Sequence, residues 1–447
     1  MRRWWFSLGY ILAILIFILL LLPLLLGLLV ENKCNQIAAI INTTTPFDLK
    51  ITDYQRSWFS ADATAKISLD KLELPDPELH QLTIIAHITH GPIILDWQRC
   101  QFLQAKINAG VNLNSAQNTV LKRAASAGPV ATINIKFDLS GATNINFASV
   151  PLAYYDQENH LLWHGLTMQT SFSPIYNQSK SKIEFSGLDL KTKDLNFQLG
   201  KITSLYHGSE TSNGLWIGER NLEFQSFTNK NDNNRTTSFE KLTIHNNITN
   251  EQKNLVNIAT TITLDKLNLN GSSYEQNKLD YEINQLHALL VGKLQQQLIS
   301  TKALLAPQTL LQSHTIMDLI SSGSEIKIKQ LNTNTPWGKL LASISIIFTQ
   351  PAENKGFLAT ITNSTINTAI QAERSLAVHL LEKLYQTLSL PKQSNNPTEQ
   401  AEILLHAWQQ SGKITTSDRD NYLHLIFDYK DGQPSLNHKP LTISTKL

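Results

Sequence analysis

The histidines, cysteines and carboxylates of this 447-residue chain are the groups that could do chemistry, and their spacing proposes little of it. The sequence has no His-Glu-x-x-His, Gly-x-Ser-x-Gly, Walker-type or Cys-x-x-Cys pattern, which removes the families that carry those motifs and no others. His87 and His90 stand three apart. On a helix they could share a metal ion, whereas on a strand their side chains point to opposite faces. Gly91-Pro92 follows directly and marks a turn, so His90 reads as a group bonded to the turn backbone rather than as a ligand. Trp163-His164-Gly165 could line a pocket, or could be an aromatic strand with a surface histidine. Asp418 and Asp420 sit in a loop-like stretch and bring no partner with them. Tyr54, Trp58 and Phe59 could present a partner surface or pack in a core, the commoner fate of strand aromatics. Cys34 and Cys100 could bridge in an oxidising compartment or remain thiols, and spacing leaves both open. No catalytic or metal-ligating residue and no cofactor is assigned.

The element that must position everything else is the start of the chain, MRRWWFSLGYILAILIFILLLLPLLLGLLVENKC. From Leu8 to Val30 there is no charged residue. As a helix this run would rise roughly 34 Å, enough to cross a hydrocarbon core of about 30 Å. Arg2 and Arg3 precede it, and only Lys33, beside Glu31, follows closely, so the positive-inside bias keeps the N-terminus cytoplasmic and exports the body. A cleaved signal peptide would have a shorter apolar core and a small-x-small site, and LLVENKC offers none. The reading is a retained anchor: residues 1–6 a cytoplasmic tail, 7–30 a membrane span.

The body is nearly charge-balanced. All 36 acidic residues and all but Arg2 and Arg3 of the 38 basic ones follow the anchor, and charged residues make up only 17% of the chain. That removes the electrostatic basis for nucleic-acid binding, which needs a basic surface. Within the body, alternation of apolar and polar residues dominates. Phe47, Leu49 and Ile51, then Ala63, Ala65, Ile67 and Leu69, have the period of two expected of half-buried strands, and the two runs suit a hairpin. Leu82–Ile88 and Ile93–Trp97 add two strands around the His90-Gly91-Pro92 turn. Asn114–Ala127 reads as a helix stopped by Gly128-Pro129. From Val130 to Leu269 strand follows strand without helix-length crossovers, which argues for antiparallel pairing. ATAKISLDKLELPD at 63–76 has an echo in ATTITLDKLNLNG at 259–271, either a serial strand unit or the ordinary look of amphipathic strands.

Helices are expected later. Leu279, Ile283, Leu286, Leu290 and Leu294 are spaced four, three, four and four apart. Further helices are expected over Pro307–Ser322 and Asn367–Leu388. Another should open at Asn396-Pro397-Thr398-Glu399, with Asn as cap and Pro in the first position, and end near Gly412. Strands are expected at Glu325–Leu331, Leu340–Phe348, Phe357–Ile361 and Tyr422–Tyr429. The fold class is thus α+β, mainly antiparallel: one transmembrane helix, then a large, extended, curved amphipathic sheet with several packing helices. Residues 31–273 form a β-rich region, and 274–447 an α+β region continuing the same domain.

Ordered features along the whole chain resemble the YdgA-like family of bacterial envelope proteins of unknown function. They are the anchor, the Tyr54-x-Arg56-x-Trp58-Phe59-Ser60 segment, and His90-Gly91-Pro92 before a strand. Thr335-Pro336-Trp337-Gly338 and the closing Gly432-x-x-x-Leu436-Asn437-His438-Lys439-Pro440-Leu441 complete the set. The chain departs from the pattern at Ser57 and His438, where the family tends to have Gly, both turn positions. The resemblance implies an inner-membrane anchor and a periplasmic body, and brings no catalytic residues. Tyr54, Arg56, Trp58, Phe59, Ser60, His90, Gly91, Pro92, Pro336, Gly338, Gly432 and Asn437 are motif positions with a structural expectation. A looser similarity links the chain to AsmA-like proteins, whose amphipathic sheets shield lipid.

Three function classes follow. A non-enzymatic envelope protein would present the apolar face of its sheet to lipid or another hydrophobic ligand. A membrane-tethered scaffold or assembly factor, with homodimers among its forms, would seal that face with its own helices. An envelope hydrolase would carry a site without a recognisable motif. The expected partners are accordingly the membrane, a lipid or other hydrophobic ligand, and a second copy of the chain, with no nucleic acid.

Overall fold

The computed structural model describes residues 21–39, 41–42, 48–68, 81–96, 99–113, 121–123, 128–155, 158–212, 214–231, 235–252, 254–299, 323–349, 363–388, 396–416, 421–430 and 432–441. These residues form a mainly antiparallel β protein with helices packed on the strands, the α+β class expected. The chain divides into two compact units. One comprises Met1–Lys193, Gly200–Glu210 and Gln296–Pro307, and the other Asp194–Leu199, Thr211–Gln295 and Gln308–Leu447.

Unit one opens with helix α1, residues 21–39. Its strands are β1 (Asp48–Arg56), β2 (Ser60–Ser68), β3 (Gln81–His90), β4 (Ile93–Asp96), β5 (Arg99–Asn112), β6 (Leu121–Arg123), β7 (Ala131–Asp138), β8 (Thr143–Ser149), β9 (Leu152–Tyr155), β10 (His160–Trp163), β11 (Leu166–Phe172), β12 (Gln178–Phe185), β13 (Leu188–Lys191) and β15 (Ile202–Glu210), while β14 (Leu195–Leu199) falls in unit two. Antiparallel pairing runs β1–β2–β3–β5–β7–β8–β11–β12–β15. A second ribbon runs β6–β9–β10–β13.

Alternation decides which face is covered. Ala61 and Ala63 of β2 lie opposite Ile88 and Ala86 of β3, which in turn face Ile107 and Ala109 of β5. The alanines leave a shallow track, and α1 lies in it: Val30, Cys34 and Ile37 pack against Ala61, Ile88, Ala105, Ile107 and Phe137. Lys33 lies over the Phe137 ring, 4.8 Å from its centroid, and Glu31 meets Arg56 of β1 at 3.7 Å. Farther along the same strands, Ile84, Val111, Val130 and Ala131 form a second buried cluster.

Unit two contains β14, β16 (Trp216–Asn231), β17 (Thr236–Gln252), β18 (Leu255–Leu269), β19 (Ser272–His287), helix α2 (Ala288–Ile299, of which residues 296–299 fall in unit one), β20 (Glu325–Thr335), β21 (Gly338–Ile347), β22 (Thr365–Glu373), helices α3 (Arg374–Leu388) and α4 (Pro397–Gln410), β23 (Thr415–Thr416), β24 (Tyr422–Lys430), β25 (Gln433–Leu436) and β26 (Lys439–Pro440). Pairing is again antiparallel, in the order β14–β16–β17–β18–β19–β20–β21–β22–β24–β25–β26. Helix α4 starts as expected. The Asn396 side chain accepts a hydrogen bond from the Thr398 amide, Pro397 takes the first turn, and Gly412 follows the end with φ +70°.

Three helix expectations are corrected. The spaced leucines from Leu279 belong to strand β19 as far as His287, and helix starts only at Ala288. The reason is a bulge: Gln285 has φ +59°, and the pairing with β18 shifts between Val256 and Ile258. An extra residue in a strand brings positions three apart, such as Ile283 and Leu286, onto one face, which imitates helical spacing. Asn367–Glu373 is likewise strand, because β22 is paired on both sides, and α3 begins at Arg374. Leu121–Arg123 is a short strand on β9 rather than helix, and residues 114–120 and 124–127 lie outside the described residues. So do the Pro307–Ser322 helix, the Phe357–Ile361 strand, and Asp418 and Asp420.

Among the described residues no helix is long and apolar enough to cross a membrane. Residues 1–20, most of the expected span, lie outside them. The described end of that run, in α1, is two-sided. Pro23, Gly27 and Val30 are buried, and Leu25, Leu28 and Leu29 are exposed.

Candidate functional site

Unit two carries the broadest continuous chemical surface among the described residues, and it is built by register. Leu222, Ile244, Ile262 and Leu279 are successive cross-strand partners on β16 to β19. The row continues through Leu331, Ala342, Ile370 and Leu425 on β20, β21, β22 and β24. A second row runs Ile248, Ile258, Ile283, Ile326, Ile346 and Ile366, and ends at Tyr429. Every member of both rows is half-buried. A register shift on β20, between Ile328 and Leu331, lies between the two rows and keeps both on one face, and positive φ at Gln276 and Gln285 marks further shifts on β19.

Helices meet the two ends of this face. At one end Ala288 and Val291 of α2 pack with Leu215, Val256 and Leu286, touching Ile248, Ile258 and Ile283. At the other, Val378 and Leu381 of α3 and Ala401 and Leu405 of α4 enclose Leu423, with Leu425 beside them. An aromatic ladder closes the first strands: Phe197 to Phe227 at 5.4 Å, and Phe227 stacked on Phe239 at 5.2 Å. The opposite face is polar, with Lys329 paired to Glu282, Lys327 to Glu325 at 2.7 Å, and His245 against Asn221 at 2.5 Å. The Lys327 and Asn284 contacts hold the Glu325 carboxyl below the usual carboxylate range, against the opposing effect of partial burial.

Beside α3 lies a cleft of about 490 Å³ lined by Trp337, Arg374, Ser375, Val378, His379, Glu382, Glu402 and Asn421. The His379 imidazole stacks on the Trp337 indole, with centroids 3.8 Å apart and planes within 7°. Arg374 pairs with Glu402, and His379 Nδ1 lies 3.8 Å from Glu382. The Ser375 hydroxyl donates to the Trp337 carbonyl at 2.5 Å. Among the described residues no group of three or more His, Cys, Asp or Glu side chains could hold a metal ion.

The family-motif residues gather in two places. Tyr54, Arg56, Trp58, Phe59, Ser60, His90, Gly91 and Pro92 lie in unit one, on β1, the β1–β2 connection, the start of β2 and the end of β3 with the turn into β4. His90 is buried, its ring nitrogens have no hydrogen-bond partner, and its amide donates to the Phe59 carbonyl at 2.8 Å. Burial lowers its pKa, the Trp58 backbone opposes that shift, and Arg56 adds to it. Gly91 donates to the Gln104 carbonyl at 2.7 Å, and a Cβ there would lie 1.6 Å from the Leu103 carbonyl oxygen, so only glycine fits. Pro92 accepts from Leu103 at 3.2 Å, and the Ser60 carbonyl accepts from Ser57 at 2.8 Å. The Tyr54 hydroxyl is buried without a partner, and burial, then Cys34 and Glu31, push its pKa up to about 12. Trp58 and Phe59 are exposed.

In unit two Pro336 and Gly338 make the β20–β21 turn, where the Thr335 hydroxyl donates to the Gly338 carbonyl at 2.8 Å. Gly432 has φ +78° between β24 and β25. Asn437 pins the closing turn, accepting from the Ile426 amide at 2.8 Å and donating to the Lys413 carbonyl at 2.7 Å. His438 has φ +63°, the conformation that favours glycine. His87 is exposed against Asp62 at 2.7 Å, and His164 against Asp189 at 2.8 Å. Both cysteines are free thiols.

Sequence reasoning missed Gly27. A Cβ on it would stand 2.7 Å from His90 Cε1, so α1 reaches the ring only because residue 27 has no side chain. A lone glycine in a leucine run was the available signal. The His379 stack gave none, because its two rings are 42 residues apart in the chain.

No curated protein and no solved structure matches the chain. A family described as "Bacterial protein of unknown function (DUF945)" matches residues 1–444, and the chain belongs to that family.

Proposed function

We propose that this is a YdgA-like envelope protein, tethered to the bacterial inner membrane by its N-terminal apolar run, with its body in the periplasm. On this reading it holds lipid acyl chains against the apolar sheet face of unit two, in the manner of AsmA-like sheets, and no reaction is assigned to it. The observation that carries the reading is the pair of half-buried rows, one crossing β16 to β24 and the other β17 to β24. A one-sided sheet face needs a cover of helix, sheet or ligand. Here the helices reach its two ends. Eight strands at about 4.8 Å extend roughly 34 Å, more than the length an acyl chain occupies in one leaflet of a hydrocarbon core about 30 Å thick. Each methylene moved from water onto such a surface contributes up to about 0.8 kcal/mol.

The test is lipid carried through purification of the full chain. Mass spectrometry of detergent-solubilised protein should find phospholipid in stoichiometric amount. Ile344→Asp, on β21 between the two rows, should lower it several-fold while far-UV circular dichroism is kept. Protein free of lipid, with the row residues crosslinking to a second copy instead, would replace this reading with a homo-oligomeric scaffold.

A further inference from the structure

Unit one has an apolar surface that is exposed among the described residues. Besides β7, strand β5 serves two partners: residues 105–112 pair with β3, and residues 99–102 pair with β4. The β4–β5 hairpin therefore projects beyond β3. Its inner side buries Ile94, which is 5% exposed. Its outer side is apolar too: Ile93 faces Phe102 across the pair, and Leu95 faces Cys100. Leu95 is 81% exposed and Phe102 is 62% exposed. A hairpin with one solvated face ordinarily turns polar residues outward, so two apolar sides point to a second apolar medium.

What that medium is follows from what the hairpin adjoins. His90, two residues before β4's partner turn closes at Pro92, touches Gly27 of α1, and its amide is bonded to Phe59. Trp58 and Phe59 are exposed at the β1–β2 connection, and Leu25, Leu28 and Leu29 are exposed on α1 around Gly27. The bare surface is thus continuous with the end of the uncharged N-terminal run. That run has length to spare. Trp4 to Leu22 is 19 uncharged residues. As helix they would rise about 28 Å, nearly a full hydrocarbon core. Pro23 to Val30 then emerges at the exported interface, where Trp and other amphipathic rings settle.

We infer that Trp58, Phe59, Ile93, Leu95 and Phe102 form a membrane-contact surface that seats unit one in the outer interface of the bilayer its own N-terminal segment crosses. This rests on the tethered reading above and adds a second, lateral attachment. The body is held against the lipid by both α1 and the hairpin, and the span ends at Leu22 rather than at Val30.

Cys100 reports the contact directly, since it is exposed and opposite Leu95, while Cys34 is half-buried on the sheet-facing side of α1. The full chain would be labelled at Cys100 with an environment-sensitive fluorophore, the site being checked by peptide mass. It would then be reconstituted into phosphatidylethanolamine–phosphatidylglycerol vesicles carrying nitroxide lipids. Interfacial nitroxides should quench at least half the emission. The double variant Leu95→Glu, Phe102→Glu, at exposed positions, should lose that quenching several-fold yet still float with the vesicles. A wild-type probe that stays unquenched on floating vesicles overturns the lateral contact and leaves the tether standing. So does a probe whose shift follows protein concentration instead of lipid, which would make the cover a second copy. A chain that does not float at all removes the tether, and this inference with it.

Discussion

The two units solve the same problem in different ways. Both are antiparallel sheets with one apolar face, but unit one lays α1 along that face and buries Phe137 to 0% and Ile88 to 1% exposure. Among the described residues, unit two places helices only at the ends of its rows and leaves the residues between them half-buried. The difference lies in side-chain size. Unit one offers a track of alanines, Ala61, Ala63, Ala86, Ala105 and Ala109, into which a helix fits closely. Unit two offers isoleucine beside isoleucine along its second row. On the reading proposed above, the first face is closed from within and the second meets lipid.

The comparison breaks most readily in the cores. Phe137→Ala in unit one should cost about 3–5 kcal/mol, as full aromatic truncations do. Ile346→Ala, in the middle of a row, should cost about 1–2 kcal/mol, because half its surface already meets solvent. Hydrogen exchange read by peptide mass spectrometry separates the two units in one chain, and equal losses would erase the distinction drawn here. Gly91→Ala should rank next, at about 3 kcal/mol or more, since its Cβ meets backbone rather than a movable side chain.

The seating of α1 sharpens the contrast. Gly27→Leu should lift the helix from His90 and expose Cys34. That thiol is pushed up to about 11 by burial and by Glu31, so it alkylates slowly at neutral pH while α1 is docked. At least a tenfold rise in its alkylation rate is expected, with no change in exchange across β16–β24. The docking should also respond to pH. His90 has its folded pKa below the ordinary 6.5, so the undocked state binds the proton more readily. The charged group acting on it is Arg56, which is paired with Glu31 and in turn influences Tyr54 beside Cys34. Its contribution is complete above pH 6.5 and is lost as pH falls from there toward the folded value. The protection of α1 peptides, taken relative to intrinsic exchange rates at each pH, should fall between pH 7.5 and 5, and His90→Gln should flatten that slope.

The smallest effects belong to unit two's accessory contacts. Asn396→Ala should cost about 1 kcal/mol through the lost cap on α4. His379→Ala should cost about 0.5–1.5 kcal/mol by unstacking Trp337, seen as a change in indole fluorescence. Neither should alter lipid carried on the rows, and if either does, the cleft beside α3 belongs to the same surface.

Much of this architecture was legible residue by residue. The alternations in β2, β7, β12, β17 and β18 and the Asn396-Pro397 start of α4 stand where local spacing put them. The errors fell where a strand departs from its period. Gln285 at φ +59° turns a strand into apparent helix spacing, and β22 reads as helix until its two neighbours are known to pair with it. The motif residues could be named from the sequence, but not their meeting point. Nothing local links Gly27 to His90 or Trp337 to His379.

The sequence by itself determined the local periods: an uncharged apolar run, a charge-balanced body, and strands whose inward residues recur every second position. Those depend on neighbours along the chain, and chain order records them. Only the tertiary structure decided which alternations line up into continuous rows, which face a helix closes, and which apolar side is left bare. Those depend on register between segments tens of residues apart, where one bulge moves every following side chain to the other face.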